Sequence, residues 1–374
     1  MGKTEGGDGM VIDRIDVVED YEYSSENPQY NQDYRHWRRH AKGPWMYQFQ
    51  ENSREHVYVD GGAASSTFDA ALAERKALLH CSTVIGTILL IFLVSEILGS
   101  TAMVALMRLF MKDISIDFLS FQTVGNQWAR TGVRILIEVL KYSLPTAVLT
   151  RFCKLPQSVF APASFGAIPE VIAAIGSGMV IAALYCVTTL GTSVELSQRL
   201  FSYKDSAAIA AFGVFDALAV SVLAELFFRG ALLPVLRQFG DPFAVIVTAV
   251  IAFLCPNVMS DRIRELLIGL AAGYLMIRSG SIIKCALLRI TCSALCYARL
   301  VLVYANDTIP LWQYVLALAA IGTMTILFYC HIRRTSLPLP NRQSFLPLKH
   351  KLYYMTQSIP MLPWLAVSLL LLLL

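Results

Sequence analysis

The chain has 374 residues, is 56% hydrophobic and only 16% charged, and carries a mean hydropathy of +0.55 with a formal net charge of +4. Soluble domains average about 25% charged residues, and a positive balance this small and dispersed excludes a nucleic-acid-binding surface as the organising feature. The composition is that of an all-α protein built largely inside a membrane.

Residues 1–78 read as a polar, mostly disordered tail on the cytoplasmic side. The first 80 positions hold 14 Asp and Glu against 9 Lys and Arg, a net of −5, so the remainder is basic as well as apolar. The opening "MGKTEGGDGMVIDRIDVVEDYEY" lacks a basic start followed by an apolar run, so no cleavable signal is expected and the first span directs insertion. The stretch "HWRRHAKGPW" (36–45) reads either as a contact with a membrane surface or as a solvated linker with no specific contact.

A multi-span membrane domain is expected over 79–335, with apolar segments near 80–110, 132–151, 167–191, 207–237, 243–259, 263–278, 281–305 and 310–331. A span needs about 20 apolar residues, which gives a bundle of about eight transmembrane helices. The short fifth and sixth segments suggest helices that meet inside the protein. Residues 336–374 form a C-terminal tail ending in the apolar run "MLPWLAVSLLLLLL", either a ninth span or an interfacial anchor. With the N-terminus inside, Arg75, Lys76, Arg151, Lys154, Arg237, Arg278, Lys284, Arg333 and Arg334 fall on the cytoplasmic side. Arg130, Arg199, Lys204, Arg262 and Arg264 fall opposite. Basic residues favour the inside, so both termini are placed there. No internal repeat is visible, which argues against a secondary transporter.

Charged and nucleophilic groups inside the apolar region carry the functional question. The eight cysteines read as small buried hydrophobes; the close pair Cys292/Cys296 has no histidine nearby, and the spacing fits no zinc site. The six histidines (His36, His40, His56, His80, His331, His350) all lie outside or at the margin of the apolar region, so none stands between Cys81 and Cys330. Glu138 pairs with Lys141 one turn on, whereas Glu96 and Asp216 have no local partner and either line the cavity or, as the favoured reading, sit near an interface. Lys284 reads as a side chain reaching toward the headgroups. Ser221 has no His or Lys in register and makes no nucleophile.

The stretch "AELFFRGALLPVL" places Glu225 and Arg229 at i,i+4 in a span, with Gly230 free to admit another backbone. One ionised group at mid-bilayer costs about 3 kcal/mol even on the low estimate. A self-neutralising structural pair is one explanation. A resemblance supplies another. The stretch is similar to the first motif, E-E-x-x-x-R, of the CPBP family of intramembrane proteins, which includes CAAX prenyl proteases and bacteriocin-processing or self-immunity proteins. "AVIVTAVIAFLCPN" resembles its second motif, F-x-x-x-H, with Phe253 in register, and "IGLAAGYLMIRSGSIIKCALLRITCS" resembles the approach to its third, H-x-x-x-N. The likeness covers about residues 207–300.

The resemblance implies a CAAX-protease-like helical core in which a Glu pair and a His activate water without a metal, while a His and an Asn hold the oxyanion. That division matches ordinary acid–base and oxyanion logic. Carried over residue by residue, the first Glu falls on Ala224, and the second Glu and the Arg on Glu225 and Arg229. The second-motif His falls on Asn257, the third-motif His on Arg289, and the last Asn on Ser293. The positions assigned to chemistry are changed; those that brace the helix are kept. Arg289 is expected to reach Glu225 across the former site, because a buried carboxylate must be paired and a guanidinium fork suits it. The implied function is a non-proteolytic one in a membrane: binding, scaffolding or self-immunity, in a bacterial plasma membrane by resemblance, with an ER membrane as the alternative. The alternative is an active CAAX-type endopeptidase using Glu225 with Asn257 and Ser293, although a carboxylate held by Arg229 makes a poor general base. Expected partners are the lipid bilayer and a membrane-bound peptide or prenylated protein; no cofactor, metal or nucleic acid is expected.

Overall fold

The computed structural model describes residues 25–47, 70–109, 115–116, 123–124, 126–164, 168–189, 206–256, 259–304, 311–333, 339 and 346–373. In chain order the helices are α1 (Pro28–His40), α2 (Ala70–Met107), α3 (Gln127–Phe152), the single turn α4 (Gln157–Phe160), α5 (Ile168–Thr188), α6 (206–237), α7 (Asp241–Leu254), α8 (Met259–Ser279), α9 (Ile282–Tyr304), α10 (Leu311–Arg333), α11 (Leu348–Thr356) and α12 (Met361–Leu373). A two-residue antiparallel pair, Ser115–Ile116 with Thr123–Val124, lies between α2 and α3. The fold is an all-α membrane bundle.

Each of the eight apolar segments of the sequence forms a helix. Among the described residues, four helices are long and apolar enough to cross a bilayer (Ala71–Glu96, Ile168–Thr188, Ala210–Arg237 and Leu311–Ile332), or five if the bent pair α11–α12 counts as one span. The others fall short for a physical reason: α3, α8 and α9 carry charges along their length, and several of those charges face inward and pair. On α3, Lys141 lies 3.3 Å from Glu96 of α2 and 3.9 Å from Glu138 of its own helix. Glu96, which has no partner close in sequence, is therefore one half of an inter-helix pair that sequence spacing cannot display. Phe92 meets Tyr142 edge-on at 5.4 Å, Glu96 meets Lys141, and a Cβ at Gly99 would meet Ile137. One number rises as the other falls, so α2 and α3 run antiparallel.

Small residues set the closest crossings, as in membrane packing generally. A Cβ at Gly322 of α10 would lie 2.7 Å from the Gly176 carbonyl of α5, and one at Gly178 would lie 2.5 Å from the Leu288 carbonyl of α9. The far face of α10 exposes Trp312, Leu316, Ile321, Met324, Leu327 and Phe328, an apolar surface suited to lipid. Lys284, expected to reach for the headgroups, is instead buried in an ion pair with Glu170 of α5.

The largest departure from the sequence reading lies near the N-terminus, where residues 25–47 are packed against the bundle. Pro28 opens α1 at a position where proline is tolerated, and the Asn27 side chain accepts from the Gln29 and Tyr30 amides. Tyr30, Tyr34 and Trp37 then recur at helical spacing and are buried. The Tyr34 hydroxyl donates to the Pro234 carbonyl at 3.0 Å, and Trp37 Nε1 donates to the Cys153 carbonyl at 3.1 Å. Burial raises both the Tyr30 and Tyr34 phenols above the ordinary range. Polar letters around three aromatics conceal this stripe in a composition count.

The turn between α6 and α7 gathers segments from both ends of the chain. Arg237 pairs with Asp241 at 2.8 Å and packs against the Tyr34 ring. Gln238 accepts from the Tyr47 amide at 2.7 Å and donates to the Trp45 carbonyl at 3.0 Å. From the C-terminal side, Lys351 of α11 donates to the Phe239 carbonyl and pairs with Glu74 of α2 at 3.0 Å. A bend of 95° separates α11 from α12. The helix α12 packs on α2 where a Cβ at Gly86 would lie 2.6 Å from the Met361 amide nitrogen.

Candidate functional site

The helix α6 is not uniform. Two π-helical stretches, Asp216–Val220 and Leu226–Leu232, flank the α-helical turn Ser221–Glu225. Such widened turns concentrate at functional sites. Here they bracket Glu225. Arg229 and Gly230 lie in the second stretch, and a Cβ at Gly230 would sit 2.5 Å from the Phe160 carbonyl of α4. The backbone that this glycine admits is that of α4.

Glu225 is wholly buried, and both its oxygens face guanidinium groups. Arg289 reaches it across the bundle: its Nε donates to Oε1 at 2.6 Å, while Arg229 Nε lies 3.3 Å from Oε2. Arg229 also donates through Nη2 to the Ile268 carbonyl at 3.3 Å. Gly269 leaves room for it: a Cβ there would meet Ala249 of α7 at 2.7 Å and the Arg229 guanidinium at 3.5 Å.

Arg289 holds a second carboxylate. Its Nη1 lies 2.7 Å from Oε2 of Glu265 on α8. Glu265 in turn lies 3.5 Å from Arg264, which lies 3.5 Å from Asp261. A chain of alternating charge thus runs along α8, crosses through Arg289 and ends on α6. Glu265 escapes the sequence reading, which takes the neighbouring Arg262 and Arg264 as loop charges because they stand at the start of an apolar segment. In the structure they lie inside α8, and Arg262 is buried. An acid beside a base at the head of a span was the available signal.

The remaining motif positions separate. Ala224 is buried, and its methyl offers nothing titratable. The Ser293 hydroxyl lies 3.5 Å from that of Ser221 across the α6–α9 contact, and Ser221 also donates to the Asp216 carbonyl at 3.3 Å. Asn257 lies outside the described residues. Asp216, which has no partner close in sequence, accepts from the Tyr297 hydroxyl at 3.0 Å. Cys292 and Cys296 are buried free thiols. Among the described residues, no three His, Cys, Asp or Glu side chains converge as a metal site would require.

Aromatic rings wall off this centre. Phe227 stacks on Phe92 at 5.6 Å, Phe228 stands edge-on to Phe227 at 5.0 Å, and Tyr142 closes on both. In so dry a setting an ion pair is strong, and both carboxylate oxygens already face cations. The arrangement can hold helices in register. Water activation needs a base that is open to its substrate and has a positioned partner, and Glu225 as placed here is enclosed. No curated protein and no solved structure matches the chain. Residues 206–295, from the start of α6 into α9, match the family described as Type II CAAX prenyl endopeptidase Rce1-like.

Proposed function

We propose that this protein is a non-proteolytic, CAAX-peptidase-like membrane protein whose former catalytic centre is an ionic clasp. Its role would be to bind or scaffold a membrane-bound peptide or prenylated protein, or to confer self-immunity, in a bacterial plasma membrane with the N-terminus in the cytoplasm. The observation that carries the reading is the Arg289–Glu225–Arg229 contact set at 2.6 and 3.3 Å. The guanidinium that occupies the third-motif position is bonded to the one carboxylate left at the first. The absence of any histidine between residues 81 and 330 supports it, as does Ala224 where a second acid would stand. The inside orientation rests on the nine-to-five distribution of basic residues.

The experiment pairs binding with cleavage. A farnesylated peptide ending in a CAAX sequence and bearing a photo-crosslinker is offered to the purified protein in nanodiscs, and release of the terminal tripeptide is followed. The expected result is crosslinking to the bundle with no release above a protein-free control. A variant carrying Ala224→Glu, Asn257→His, Arg289→His and Ser293→Asn together is the positive arm, in which any release would show that the scaffold still presents the scissile bond. Release by the unmodified chain that disappears in Glu225→Gln would overturn the proposal.

A further inference from the structure

We infer that the joint between α1 and α3 forms a headgroup site for an anionic phospholipid of the leaflet on the side where residues 25–47 and 346–356 lie. Three basic side chains stand there. Arg151 and Lys154 flank the C-terminus of α3, and Lys42 follows the C-terminus of α1; all three are exposed. The two ends are tied together by Trp37 Nε1, which donates to the Cys153 carbonyl at 3.1 Å, and by the Trp45 and Phe152 rings, whose centroids lie 6.3 Å apart. Phe152 is 53% exposed amid these basic residues. The acid of α1, Asp33, lies toward its other end and accepts from Gln29 at 3.1 Å.

The depth is right for a headgroup. The antiparallel register of α3 on α2, fixed at Phe92 and Tyr142, brings Phe152 level with the turns that follow His80. There α2 has passed its charged "ERK" of residues 74–76 and carries no Asp, Glu, Lys or Arg until Glu96. An aromatic ring beside basic groups at such a boundary is the usual arrangement at a membrane interface. The helix also ends in an unusual way. Lys154 has φ +48, the left-handed conformation that favours glycine. The Leu155 amide closes back on the Thr150 carbonyl at 3.0 Å around it. Glycine would make this turn with less strain, so lysine is held there at a backbone cost. The inference does not depend on whether the clasp is catalytic.

Native mass spectrometry of the full chain in detergent, titrated with equimolar dioleoyl phosphatidylglycerol and dioleoyl phosphatidylcholine, tests it. Retention of the anionic lipid should exceed that of the zwitterionic one by about fivefold or more, the effect of a single basic side chain at a membrane surface. In K42Q/R151Q/K154Q the ratio should fall toward one. A Lys154→Gly variant separates lipid binding from folding: it should raise the melting midpoint, because the left-handed turn relaxes, while lowering the lipid ratio. Equal retention of the two lipids by the unmodified chain would overturn the inference, and so would an unchanged ratio in both variants. Loss of the preference in millimolar inorganic phosphate, but not in chloride of matched ionic strength, would assign the site to free phosphate and overturn the lipid.

Discussion

Two buried ionic centres lie on or beside α6, and they are built differently. At its C-terminal end Arg237 and Asp241 pair across one turn at 2.8 Å. The Tyr34 ring packs on Arg237, and the adjoining Gln238 donates to the Trp45 carbonyl, so the N-terminal segment covers the pair. At its middle, Glu225 finds its shortest contact not with Arg229 one turn away but with Arg289, 64 positions on, which it shares with Glu265 of a third helix. The first centre is local and covered by a distant segment. The second is assembled from three helices and fails if any of them moves. A local pair can be read from spacing, whereas a shared one emerges only when the fold brings its members together.

The largest effect is expected at the shared centre. Arg289→Leu leaves Glu225 and Glu265 buried without the guanidinium that bridges them. Removing one member of such a group costs about 3–5 kcal/mol, seen as a lower melting midpoint in detergent. Neutralising the acids as well, in E225Q/E265Q/R289L, should recover part of the loss; no recovery would mean that packing rather than charge sets the cost. Trp37→Ala probes the covering segment. Truncating a buried aromatic costs about 3–5 kcal/mol, and here the loss should fall on the docking of residues 25–47, read as faster protease cleavage there with the bundle intact. Gly230→Ala should cost about 1–3 kcal/mol, because the new methyl drives into the Phe160 carbonyl. The smallest effect belongs to the phenols. Since burial raises Tyr30 and Tyr34 above their ordinary value of 10.0, their contribution to docking is complete below pH 10 and declines as pH rises through the raised folded values. Protease resistance of the N-terminal segment should therefore weaken above about pH 10, and less so in Y30F/Y34F.

Much of the bundle is legible in the sequence because unbroken apolar runs have few alternatives to a helix in lipid. The contact between Arg289 and Glu225 is legible too, through the resemblance, which sets the third-motif position across from the first. Glu265 is not, since nothing in its own neighbourhood reports that α8 turns it toward α9. Glu96 and Lys284 show the same limit: each is neutralised by a residue on another helix, Lys141 and Glu170, more than 40 positions away. The aromatic stripe Tyr30, Tyr34 and Trp37 is hidden for a different reason. Its intervening residues are polar and charged, so composition suggests a solvated tail while the helical period records a face.

Whether Glu225 has left catalysis is decided by a single assay, tripeptide release from a farnesylated CAAX peptide by the purified chain and by Glu225→Gln in matched nanodiscs. If the carboxylate is committed to Arg289 and Arg229, the two proteins give the same background release. Release by the unmodified chain that Glu225→Gln abolishes would show that the carboxylate still works on water, and the clasp would then be a resting state of an active enzyme.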